Sequence, residues 1–262
     1  MLRILKLELK KAFLSYKFWI TLAVVPIIMY LNLLDEMNIS SGTDICSVLY
    51  LWVYRHMLGG ISILLLFVCA LPAALQFNVE RNSGAIKDYI IYEGKMKYLF
   101  AKVFTTWFVT FIAFLLGYVI VFLFLVMRFP LYPSETDLVN QLLYDFPYKT
   151  MLNESPMIFF IVIPEVGLYA FMSVISLLVS LHSSNTYVIL VSPVIFYYIW
   201  NYLCGSLQLP NWLCWTLKRD YGFTFPDTFP SYIAYNLFYF LIASMVVGIA
   251  FLRRGRQEVE NV

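Results

Sequence analysis

Six apolar stretches, at about Phe18–Leu34, Met57–Gln76, Phe100–Met127, Ile158–Ser180, Thr186–Leu203 and Tyr232–Leu252, leave little of this chain outside a bilayer. A hydrocarbon core of ~30 Å needs roughly 20 helical residues, and most of these runs supply them; the first and fifth draw on their flanks. Hydrophobic residues make up 61% of the 262 and charged residues 13%, about half the charge that a soluble domain carries. The expected fold is therefore an all-α integral membrane protein, a single transmembrane domain over residues 1–262 with six transmembrane helices. The first run continues into Leu34-Asp35-Glu36 without a small-residue cleavage site, which reads as a retained span rather than a removed signal.

Basic residues orient the spans. With an even number of crossings both termini share a side. That side holds Arg3, Lys6, Lys10, Lys11 and Lys17, then Arg81, Lys87, Lys95, Lys97 and Lys102, then Arg253, Arg254 and Arg256, thirteen of the 18 Lys and Arg. The expectation is that both termini are cytoplasmic.

Residues 1–17 read as an amphipathic interfacial helix. At about 100° per residue Leu2, Leu5, Leu9, Ala12, Phe13 and Tyr16 share one face, and Arg3, Lys6, Lys10 and Lys17 the next. Such a helix lies in the headgroup plane, with its cations near anionic lipids. A charged hairpin over 80–98 joins the second and third spans. Within it Asn82 or Ser83 suits a helix start and Gly94 a helix end. The helix between them has roughly nine residues, too few to stand alone in water. Its Ile86, Tyr89 and Ile90 form an i, i+3, i+4 stripe that must dock on the membrane surface or on another protein.

Catalytic and metal motifs are weak. His56 and His182 fall on opposite sides of the membrane in this topology, and no Cys spacing forms a metal motif. Gly94-Lys95 lacks the glycine-rich lead-in of a phosphate-binding loop, so no means of binding ATP is visible in this chain. Glu165 lies about seven residues into the fourth span, roughly 10 Å deep at 1.5 Å per residue, and an ionisable group there is a functional candidate. Arg55 and His56 at the start of the second span are the other intramembrane polar candidates, Arg55 as a partner for Glu165. A Cys204–Cys214 disulfide would staple the last outer loop, but spacing alone does not establish its geometry. Pro26, Pro72, Pro164 and Pro193 interrupt four spans, each removing a backbone hydrogen bond and favouring a kink.

In the hairpin the pattern resembles the membrane subunit of ATP-binding-cassette (ABC) exporters of the type-two family. The matching residues are Glu80-Arg81 at the end of the second span, Gly84 four residues after the Glu, the apolar run Ile86–Ile91, and basic Lys95, Lys97 and Lys102 leading into the third span. Ala85 stands where a Thr is common, and Glu93-Gly94 replaces a usual Pro turn. The resemblance implies a short cytoplasmic coupling helix, Gly84–Tyr92, seated in a groove of a separate ABC ATPase. Glu80, Arg81, Gly84, Ile86, Tyr89 and Ile90 would form that interface. It implies a second permease subunit, identical or paralogous, with ATP and Mg held by the ATPase and no cofactor or enzyme activity in this chain. A bacterial plasma (inner) membrane is the expected location, with lipids and no nucleic acid as further partners. The cargo expected is a hydrophobic or amphipathic peptide, lipid-linked compound or drug. No segment outside the spans is long enough for a receptor domain, which by analogy favours export. Two other readings stay open: a membrane-embedded lipid-modifying enzyme using Glu165 with His56 or His182, and a toxin-immunity protein.

Overall fold

The structure, a computed structural model, describes residues 2–40, 47–54, 63–131, 162–209 and 229–260. Every regular element among them is a helix: α1 (Leu2–Leu14), α2 (Tyr16–Ser40), α3 (Val48–Tyr54), α4 (Leu64–Val68), α5 (Ala74–Asn82), α6 (Ala85–Glu93), α7 (Lys95–Arg128), α8 (Ile163–Val179), α9 (Thr186–Ser206) and α10 (Phe229–Glu260). Four are long and apolar enough to cross a membrane, over Tyr16–Leu34, Lys95–Arg128, Thr186–Ser206 and Asn236–Gln257. The chain is a helical membrane protein.

The bundle is built around α8, whose residues Val166 to Leu177 are all buried. A helix that is apolar on every side belongs inside a bundle, and α7, α9 and α10 pack around this one. The outer helices reverse the soluble rule. Ile27, Leu123, Ile199, Met245 and Val246 are at least half exposed, as suits side chains whose solvent is hydrocarbon.

The second apolar run differs from a continuous span. Its described part is two short helices, α4 and α5, separated by turns over 69–73. Pro72 lies between them and has no N–H to continue the ladder. The freed backbone finds local partners: Thr110 Oγ1 donates to Cys69 O at 3.4 Å, and Cys69 Sγ to Leu66 O at 3.0 Å. Pro26 and Pro193 sit inside α2 and α9 as expected. Pro164 does not interrupt α8; it occupies the first turn, where a missing N–H costs nothing.

The N-terminal helix ends at Leu14 rather than Lys17, with a bend at Ser15 before α2 begins. At the start of α6 neither Asn82 nor Ser83 caps. Gly84 does, at φ +75°, while Ser83 Oγ donates back to Glu80 O at 3.1 Å. A left-handed residue turns the chain sharply without a Cβ clash, and Gly94 at φ +85° makes the matching turn into α7.

α7 has 34 residues, about 51 Å at 1.5 Å per residue, well beyond a ~30 Å core. Counted back from Arg128, about 21 Å of it, roughly its first four turns, therefore extends past the hydrocarbon at the end of the bundle where α1, α5 and α6 gather. Lys95 there donates to Arg256 O at the end of α10. This charged end holds the candidate site.

Candidate functional site

Three helices bring six polar side chains into one knot. α1 supplies Glu8, the only acidic residue among the first seventeen of the chain. Its i, i+4, i+8 register with Ile4 and Ala12 makes these three the buried face of α1, which packs on α7. α5 supplies Gln76 and, one turn later, Glu80. α7 contributes Tyr98 and Lys102, also one turn apart and both buried.

Lys102 Nζ bridges the two carboxylates, pairing with Glu8 and lying 2.7 Å from Glu80 Oε2. Tyr98 Oη donates to the same Glu80 oxygen at 2.6 Å, and Gln76 Nε2 donates to Oε1 at 3.1 Å. Lys11 Nζ stands 3.4 Å from Glu8 Oε1 and 3.8 Å from Glu80 Oε1. Two ammonium groups thus answer two carboxylates, and the knot has no net charge. Balance is what makes such burial tolerable, because removing one partner of a buried pair costs about 3–5 kcal/mol.

Lys11 also connects the knot to α6. It donates to Tyr89 Oη and lies 3.8 Å from the centre of the Tyr89 ring. Burial acts to lower the Lys11 pKa, but the hydrogen bond to Tyr89 and the charges of Glu8 and Glu80 outweigh it and hold the group above its ordinary 10.5. The Tyr89 ring stacks on Tyr98, centroids 5.7 Å apart and 5° from parallel. Ile86 is buried in an apolar cluster with Ile4, Tyr98 and Leu99, and Tyr89 and Ile90 pack on its margin.

The Ile86, Tyr89 and Ile90 stripe therefore docks on the chain's own α1 and α7, a third option that sequence periodicity did not distinguish from lipid or a partner. The outward face of α6 carries Ile91, 78% exposed, and Tyr92, 85% exposed. Gly84 is exposed as well.

Arg81 points elsewhere. Its Nη1 donates to Ser180 O at 3.1 Å and to Leu181 O, at the C-terminal end of α8 where the helix dipole is negative. Asn78 Nδ2 adds a bond to Ser184 O at 3.0 Å. Through these contacts α5 is fastened both to the knot and to the central helix.

Of the expected site residues, then, Glu80, Ile86, Tyr89 and Ile90 converge, while Arg81 ties off α8. Glu8, Lys11 and Tyr98 join them unanticipated. The signal available was a lone acid in a basic helix, four residues from apolar neighbours on both sides. Glu165 stands apart in the first turn of α8, half-buried, with the Tyr169 hydroxyl 3.5 Å from Oε1. Arg55, His56 and Cys214 lie outside the described residues; Cys204 is buried near the end of α9. Among the described residues no three His, Cys, Asp or Glu side chains gather as a metal site. No protein-family model, curated protein or solved structure matches this chain.

Proposed function

We propose that this chain is the permease subunit of an ATP-driven exporter of the ABC type-two family, with six spans, both termini in the cytoplasm of a bacterial cell, and α6 as the coupling helix. The observation that supports it most is the mounting of α6. Two glycine turns set the helix off from α5 and α7, a neutral charge knot clamps it to α1, α5 and α7, and its free face presents Ile91 and Tyr92. A nine-residue helix so held moves with the rods behind it. An exposed Ile–Tyr pair is what a partner groove takes up, tyrosine being among the residues that dominate interface energies.

In this reading a separate ATPase binds ATP and Mg, closes, and pushes on Ile91 and Tyr92. The knot passes that displacement to α7 and, through Arg81, to α8. A second permease subunit completes the path for a hydrophobic or amphipathic cargo. The coupling works only if the ATPase binds the two membrane conformations unequally.

The test uses the full chain co-expressed with candidate ABC ATPases from the same genome. Ile91→Asp and Tyr92→Asp should each abolish co-purification and ATP-dependent transport while the protein stays folded and membrane-inserted. An undiminished complex with both aspartates in place would rule the coupling role out.

A further inference from the structure

α2 and α7 touch closely at one level and diverge above it. At Gly117 a Cβ would stand 2.7 Å from Val25 Cγ1 and 3.5 Å from Pro26 Cδ, so the absence of a side chain sets the point of closest approach. Beyond it the helices open a groove of about 440 Å³ lined by Pro26, Ile27, Tyr30, Ile120, Phe124 and Arg128, among others. That volume falls within the ~300–1,000 Å³ of small-molecule sites.

The α7 wall is a single stripe. Gly117, Ile120, Val121, Phe124 and Arg128 follow i, i+3, i+4, i+7 and i+11, one face of a helix. Tyr30 and Phe124 meet edge to face at 5.3 Å across the floor. Everything in the lining is apolar or aromatic except Arg128, which closes α7. Arg128 is exposed, and among the described residues no carboxylate pairs with it; its ring neighbour is Phe129, at 5.8 Å.

Both walls are membrane-crossing segments, so the groove opens to hydrocarbon and a water-soluble ligand has no route in. Its length is decisive. From Gly117 to Arg128 the helix rises about 16 Å at 1.5 Å per residue, and half of a ~30 Å core is about 15 Å. The groove thus runs one leaflet deep, from the headgroup level to the midplane, with a lone cation at the headgroup level and grease below. An amphiphile without a phosphate leaves the guanidinium unanswered; a phosphate accepts its fork of N–H donors, and one with no ammonium in its own headgroup answers the charge most fully.

We propose that this groove is a binding site for an anionic phospholipid of the leaflet at the C-terminal end of α7. One acyl chain lies between α2 and α7, and the headgroup phosphate sits on Arg128. The occupant is retained relative to bulk lipid because it fills a concavity and answers a charge. The assignment stands independently of the transport reading.

The test reconstitutes the full chain in phosphatidylcholine bilayers containing spin-labelled phosphatidylglycerol or spin-labelled phosphatidylcholine, and measures the motionally restricted fraction of each. The wild-type chain should restrict the anionic lipid preferentially. Arg128→Gln should lower that preference about five-fold, the effect of one interfacial cation near an anionic headgroup. Ile27→Trp and Ile120→Trp each fill the groove from a half-exposed wall position, so neither disturbs the core, and each should remove the restricted component for both lipids. Equal restriction of the two labelled lipids by the wild-type chain, or a preference untouched by Arg128→Gln and both tryptophans, would overturn the assignment.

Discussion

Lys102 of α7 and Glu8 of α1 form an ion pair sealed from solvent, with side-chain exposures of 3% and 0%. Far apart in the chain, they fix the N-terminal helix to the longest helix, and Glu80, joined to the same ammonium, brings α5 to the same point.

Replacing one partner alone should be costly. Lys102→Met leaves Glu8 and Glu80 buried with only half-exposed Lys11 to answer them, and stability should fall by about 3–5 kcal/mol. Glu8→Gln in the same chain relieves part of that charge. The double variant should therefore be more stable than the lysine variant alone, as read by thermal unfolding in detergent. Strictly additive losses would mean that the two groups do not interact.

The glycine turns around α6 make a second test. Gly94 has φ +85° and ψ 140°, a region essentially reserved for glycine, where another residue costs about 1–3 kcal/mol. Gly94→Ala has open space for its methyl group, so any effect comes from backbone strain alone. Amide exchange over Ala85–Glu93 should speed up in this variant, while exchange in α8 stays unchanged.

Gly117 tests the helix contact. Gly117→Ala places a methyl group 2.7 Å from Val25 Cγ1, forcing α2 away from α7 at a cost of about 1–3 kcal/mol. Val25→Ala vacates that space, so the double variant should regain a good part of the loss in the same unfolding measurement.

The Lys11 contact with Tyr89 carries a pH signature. The folded-state pKa of Lys11 lies above 10.5, so its stabilisation is complete below that pH and fades only as pH rises through the higher folded value. Protection of the α6 amides, corrected for intrinsic exchange, should therefore stay level through neutral and mildly alkaline pH and decline above about 10.5. Lys11→Met should lose protection already at neutral pH. A decline centred near neutrality in the wild-type chain would mean that another group holds α6.

Much of the architecture was readable from local pattern. The all-helical membrane character, a short helix inside the hairpin and its end at Gly94 all follow from rules acting over a few residues. What eluded that reading involved choices between equivalent partners. Ile86, Tyr89 and Ile90 announced that α6 must dock, but an apolar stripe does not say on what; the answer depended on Tyr98 and Lys11 arriving from elsewhere. Pro72 and Pro164 look alike in sequence, yet one lies between two short helices and the other opens a helix, because only the backbone around them decides which hydrogen bond is missing.

The amino-acid sequence by itself determined that the chain is helical, that it lives in a membrane, and where its charges concentrate, since burial in hydrocarbon and helical periodicity are properties of single segments. Only the tertiary structure decided that Glu8 belongs with Lys102 and Glu80, that Ile91 and Tyr92 rather than Tyr89 and Ile90 face outward, and that α2 and α7 part above Gly117. A buried charge is tolerable only with its counter-charge in place, and three-dimensional packing supplies that partner.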